Sequence, residues 1–184
     1  MDEMVKAAMA KWPQVPACCG WLGLDGRGDW YLRDDAAQAA GAFQARDAWP
    51  QAKGSRLQHA GLIAFIGRNY SCDSAGCWYF QNGPQRVFVE LALAPWVLRL
   101  QADGQAWSTH TGEPTQPSAW WLDEEGVLYA SGAKGLGVVH TADMLGASDW
   151  LDRHRIEPGA VRRRDLPARF AYVLSPNAAQ KKPA

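Results

Sequence analysis

The spacing of apolar and polar positions changes several times along this chain, and each change marks an element. Residues 86–93 alternate: Val87, Val89, Leu91 and Leu93 fall on one side, Phe88 and Glu90 on the other, the period of a strand. Upstream, Leu62, Phe65, Ile66 and Tyr70 recur at helical spacing and share one face. With Ser55-x-x-Gln58 as a capping box, this predicts a helix over about residues 56–69, lying across a sheet as its main cover. A shorter helix fits residues 2–11, with Met4, Val5 and Met9 on one side, and Pro13 and Pro16 end it. The Ala-rich, polar residues 34–56 carry a loose helix before Pro50. Strands are expected at Cys77–Gln81, Arg86–Leu93, Trp96–Gln101 and Gln105–Thr109, with tight turns at Asn82–Gln85 and Asp103-Gly104. Pro95, which lacks a ladder donor, predicts a bulge or a sheet edge. A hairpin over Trp120–Ala130, a short strand at Val138–His140 and a helix near Asp149–Leu151 follow.

One hairpin signature recurs. Asp25-x-x-Gly28-x-Trp30-Tyr31 matches Asp73-x-x-Gly76-x-Trp78-Tyr79 and Asp123-x-x-Gly126-x-Leu128-Tyr129, at spacings of 48 and 50 residues. The aspartate opens the turn because its carboxylate can accept nearby backbone N–H groups. The glycine closes it because that position needs a positive φ. The aromatic then starts the returning strand. The fold expected is α+β: mainly antiparallel sheet built from repeated hairpins, one main helix over it, and short peripheral helices. Residues 1–176 are expected as one compact domain, divisible into similar halves at about 12–100 and 101–176, with 177–184 a disordered tail.

Composition narrows the classes of function. Lysine plus arginine balances aspartate plus glutamate in 184 residues, so the chain has no general attraction for nucleic acid or an anionic membrane. The local run Arg162-Arg163-Arg164 reads as a solvated basic turn. The first residues, Met1-Asp2-Glu3-Met4-Val5-Lys6, are acidic where a signal peptide is basic. No run approaches the about 18 apolar residues of a membrane span. A cytoplasmic protein is expected. Cys18, Cys19, Cys72 and Cys77 then read as free thiols, and no zinc spacing is present. The ten tryptophans read as core and rim of a sheet protein.

Recognised catalytic patterns are missing. Gly132, Gly135 and Gly137 continue into apparent strand and lack the G-K-[S/T] of a phosphate loop. The aspartate turns lack the alternate ligands of a calcium loop. His59 belongs to a helix start, whereas His110 ends a strand and enters a loop, where functional side chains concentrate. The polar cluster that stands out is Arg68-Asn69-Tyr70 with Gln81-Asn82-Gly83-Pro84-Gln85-Arg86. Turn chemistry accounts for its Asn, Gly and Pro but not for Gln85 and two arginines, and guanidinium and amide groups together suit a carboxylate, a phosphate or a peptide backbone.

The run His59–Tyr70, followed by Asp73-x-x-Gly76-x-Trp78 and Asn82-Gly83-Pro84-Gln85-Arg86-Val87-x-Val89-Glu90, resembles an uncharacterised proteobacterial family of unknown function over most of residues 12–175. The order of hairpin, helix, aspartate–glycine hairpin and V-x-V-E strand is similar, mainly over residues 20–100, to a second domain family of unknown function with repeated β-rich motifs and a guessed role in signalling. The resemblance implies the β-rich fold and assigns no catalytic residue.

The function expected is a non-catalytic regulatory module that binds a small polar or anionic ligand, or a protein partner, through Arg68, Asn69, Asn82, Gln85, Arg86 and His110, with no metal or cofactor and without nucleic acid or membrane. The alternative is a small hydrolase or transferase that uses His110 with a nearby thiol or carboxylate. A third reading is an oligomerising protein with surplus tryptophans at its interface.

Overall fold

The computed structural model describes residues 1–180. It has an α+β fold in two compact units, each with its own mixed sheet. The first unit takes Met1–Asp25, Asp29–Leu93 and the chain from Tyr172 onward; the second takes Gly26–Gly28 and Ala94–Ala171.

In the first unit, α1 (Glu3–Lys11) precedes β1 (Cys18–Leu24) and β2 (Trp30–Leu32). Then come α2 (Asp35–Ala40), β3 (Ser55–Arg56), α3 (Ala60–Arg68), β4 (Tyr70–Cys72), β5 (Trp78–Asn82) and β6 (Gln85–Leu91). The sheet order is β3-β2-β1-β6-β5-β4. Strands β1 and β6 run parallel at its centre; the other pairs are antiparallel. A central strand is covered on both faces, which is why Phe88, Val89, Glu90 and Leu91 are buried one after another despite their alternating pattern. Gly23 in β1 leaves room for the Phe43 ring, which a Cβ there would strike. Helix α3 packs on β5 through the edge-to-face pair Phe65–Phe80, centroids 5.4 Å apart. From Tyr172 the chain belongs again to this unit: the Tyr172 hydroxyl donates to the Leu93 carbonyl and the Leu91 N–H to the Leu174 carbonyl, each at 2.8 Å.

The second unit contains β7 (Trp96–Leu100), β8 (Trp107–Thr109), β9 (Pro114–Thr115), β10 (Ala119–Leu122), β11 (Leu128–Gly132) and β12 (Gly135–Val139). These are followed by α4 (Met144–His154), β13 (Gly159–Ala160) and α5 (Leu166–Arg169). The sheet order is β13-β10-β11-β12-β7-β8-β9, with β10–β13 and β12–β7 parallel. Trp107, Trp120 and Trp150 form one aromatic cluster with centroids 5.3–6.0 Å apart, and His154 stacks on Trp150 at 3.9 Å.

The three hairpin signatures share one backbone geometry. The aspartate N–H donates to the carbonyl four residues on (Asp29, Cys77 and Val127, at 3.0, 3.0 and 3.1 Å). Its Oδ1 accepts the N–H of that same residue in return (3.0, 2.9 and 2.8 Å). The closing glycines Gly28, Gly76 and Gly126 sit at φ of 80°, 81° and 76°, a region that costs a side chain roughly 1–2 kcal/mol.

Several expected elements differ in detail. Ser55 and Arg56 pair with β2 instead of capping a helix; His59 caps α3, its Nδ1 accepting the Leu62 N–H at 3.1 Å. Tyr70 begins β4, so the apolar face of α3 ends one turn earlier than its spacing suggested. Met4 is 79% exposed and α1 is anchored by Val5. Pro95 marks neither an edge nor a bulge: β7 starts immediately after it and lies between β12 and β8, so the missing donor falls outside the ladder. Of the segment expected to be a disordered tail, residues 177–180 end a short helix, Pro176–Gln180, and 181–184 lie outside the described residues. No helix among the described residues is long and apolar enough to cross a membrane.

Candidate functional site

The candidate site lies in the first unit, where the segment after α1 meets the β5–β6 hairpin. Two of the polar residues singled out in the sequence fix the start of that helix. The Arg68 guanidinium pairs with the Asp2 carboxylate at 3.3 Å, and hydrogen bonding to Arg68 holds that carboxyl below its ordinary pKa. Asn69, buried at the end of α3, accepts the Asp2 N–H through Oδ1 at 2.8 Å and donates through Nδ2 to the Phe65 carbonyl at 2.9 Å. With Asp2 held at its N-terminus, α1 leads to Trp12, which lines one recess with the hairpin residues. Gln85 secures the next part of the segment, its Nε2 donating to the Pro16 carbonyl at 3.1 Å.

Together these contacts bound a recess of about 460 Å³, within the usual size of small-ligand sites. Met9, Trp12 and Pro13 form one wall and Gln81, Pro84 and Arg86 the other. Trp12 is 50% exposed and carries the Lys11 ammonium 4.5 Å from its ring centroid. The Arg86 guanidinium rests over the Tyr79 ring at 4.8 Å, which orients it without neutralising it.

Gln81 is the least expected member. It is 1% exposed. Its backbone N–H donates to the Asn69 carbonyl and its Nε2 to the Gly83 carbonyl, both at 2.9 Å. Its Oε1 is enclosed and meets no donor among the described residues. A buried acceptor left unmatched costs about 1–3 kcal/mol. A guanidinium and an unmatched acceptor in one recess suit a ligand that combines an anionic group with an N–H or O–H donor. The sequence places Gln81 in the polar cluster, but only its neighbours Asn82, Gln85 and Arg86 were expected to bind, and Trp12 was not singled out. The available signal for Gln81 was an amide directly after the aromatic run Trp78–Phe80 of a strand.

The remaining residues stand apart from the recess wall. Asn82 is exposed at the hairpin end opposite Gln85. His110 belongs to the second unit, at the end of β8. Its Nδ1 accepts the Val97 N–H at 3.2 Å, its Nε2 is enclosed, and burial pushes its pKa down to about 3. The four cysteines are free thiols. Burial, then Asp73 and Cys77, push Cys72 up to about 11, the opposite of an activated nucleophile.

The His110 environment predicts a pH effect. In the unfolded chain His110 titrates near 6.5, whereas the folded pKa is about 3. The unfolded state therefore binds the extra proton between these values. The stabilisation is fully present above pH 6.5 and is lost progressively towards pH 3. Chemical denaturation across this window is expected to show a steeper acid loss for the wild type than for His110→Gln, which has no proton to take up.

The fold and recess define a two-sheet α+β protein whose candidate site is a recess of polar and aromatic lining in the first unit. The chain belongs to the family DUF2944, whose model, described as a protein of unknown function (DUF2946), matches residues 1–177. Among solved structures, a DUF1285 family protein from Silicibacter pomeroyi DSS-3 is similar, with 12% identity over 81% of this chain and 84% of that one and a TM-score of 0.45. No curated protein matches.

Proposed function

We propose that this protein is a non-catalytic binding module whose ligand occupies the recess between Trp12, Gln81 and Arg86. The observation that carries this reading is the buried Gln81 Oε1, unmatched among the described residues, in a recess that Arg86 also lines. The ligand is a small anion with its own hydrogen-bond donor: an amino acid or a hydroxy acid has both, set a few ångströms apart. Arg86 takes the carboxylate, Gln81 accepts the donor and Trp12 covers an apolar portion. The compartment proposed is the cytoplasm, and the four free thiols support it.

The test is a thermal-shift screen of the full chain against amino acids and hydroxy acids. A ligand at ten times its Kd stabilises the fold by about 1.4 kcal/mol, a readable rise in midpoint. A charge-assisted bond contributes about 1.5–3 kcal/mol, so Arg86→Gln is expected to weaken the hit roughly 10- to 100-fold. Arg164→Gln, in the second unit, is expected to leave it unchanged. A hit equally strong in Arg86→Gln would overturn the assignment.

A further inference from the structure

The second unit contains a larger recess, of about 860 Å³, lined by Trp107, Gln105, Gln116, Thr115, Ser118 and Lys134 among others. Trp107 is 4% exposed, and its indole Nε1–H is enclosed without an acceptor among the described residues. A buried tryptophan ordinarily finds a partner for that group. The ring packs edge-to-face against Trp120 and Trp150, with centroids 5.3 and 6.0 Å away.

The chemistry around this donor is neutral. Lys134 is ion-paired with Glu113, and no carboxylate lines the recess among the described residues. Two amides and two hydroxyls supply both donors and acceptors. The Ser118 hydroxyl donates to the Ser131 carbonyl at 3.2 Å, so it faces a ligand as an acceptor. Backbone pairing is disfavoured here. Strand β9, the sheet edge, begins with Pro114, and Pro117 follows it; neither has an N–H to give an added peptide strand.

We propose that this recess binds a neutral saccharide, whose hydroxyls both donate and accept. One of them accepts from the Trp107 indole, and others meet Gln105, Gln116, Thr115 and Ser118. The volume falls in the upper range of small-ligand pockets, which suits a short oligosaccharide better than a single small ion. This site is independent of the Gln81–Arg86 recess.

The test uses the full chain, titrated by calorimetry with maltose, cellobiose, lactose and chitobiose. The indole N–H signals are followed by ¹⁵N NMR, with Trp107 assigned from its absence in Trp107→Phe. The expected result is saturable binding of at least one disaccharide that shifts the Trp107 signal. It should be weakened at least tenfold in Trp107→Phe and in Gln116→Ala, and unchanged in Arg86→Gln. Gln116 is exposed, so the second variant keeps the test decisive if the first fails to fold. No binding by any of the four sugars overturns the proposal. So does binding that leaves the Trp107 signal unmoved, or binding of a proline-rich peptide in place of the sugars.

Discussion

Replacing Asp123 by alanine is expected to lower the unfolding free energy by about 3–5 kcal/mol, the range for breaking one side of a buried ion pair. Its Oδ1 accepts the N–H groups of Glu125 and Val127 at 2.9 and 2.8 Å. Its Oδ2 accepts the Tyr129 hydroxyl at 3.1 Å and Arg163 Nε at 2.8 Å. Burial alone would push this carboxyl up; the Val127 N–H, Arg163 and the Glu125 N–H outweigh it and hold it below its ordinary range. Alanine removes all four acceptor contacts. It leaves the fully buried Tyr129 without this bond and Arg163 with Glu125, a half-exposed partner. The matching control is Asp73→Ala. That carboxylate makes the same two turn bonds, to Ala75 and Cys77, so its loss is expected to cost only about 0.5–2 kcal/mol, the range for a side chain that caps backbone N–H groups. Urea denaturation of the two variants separates the turn contribution from that of the ion pair. Equal losses would mean that Arg163 and Tyr129 contribute nothing.

The second large effect is expected at Arg33. This side chain is 2% exposed and donates to four backbone carbonyls: Ala52 at 2.8 Å, Gly20 at 3.3 Å, Ala37 at 3.2 Å and Gly41 at 2.6 Å. It ties β1 to α2 and to the irregular segment around Ala52. Burial pulls its pKa down and the charge on Glu90 opposes that. Glu90, also 2% exposed, is held by the Asn177 N–H at 3.1 Å. Arg33→Met retains most of the volume but strands the carbonyls and removes the cation that offsets Glu90. A loss of about 3–5 kcal/mol is expected, with faster hydrogen exchange over residues 34–53. Arg33→Lys is expected to recover less than half, because one ammonium cannot reach a fan of acceptors that the planar guanidinium spans.

These two residues show what could be read from the sequence and what could not. The turn role of Asp123 was legible because it is local: the aspartate, the glycine and the acceptor geometry fall within five residues. Its pairing with Arg163 was not, because that partner lies 40 residues on, within a run that read as a solvated basic turn. Arg33 gave no signal at all, since its partners are main-chain carbonyls, which every residue has. The strands were legible from periodicity, but the parallel pairing of β1 with β6 was not, and it placed Glu90 inside the fold. The candidate site shows the same division. Arg68, Asn69 and Gln85 stood out as polar residues near strand ends; in the structure the first two tie Asp2 to the end of α3, and Gln85 ties Pro16 to the hairpin. The recess they create is lined by Trp12 and Gln81, whose adjacency depends on a chain path between residues 12 and 81 that no local pattern encodes.

Whether the Gln81–Arg86 recess holds a ligand is decided by a crystal structure of the full chain with the strongest compound from the thermal-shift screen. The compound is expected in the recess, its donor within hydrogen-bond distance of Gln81 Oε1 and its carboxylate on Arg86. A compound bound elsewhere, with only water on Gln81 Oε1, would contradict the proposal.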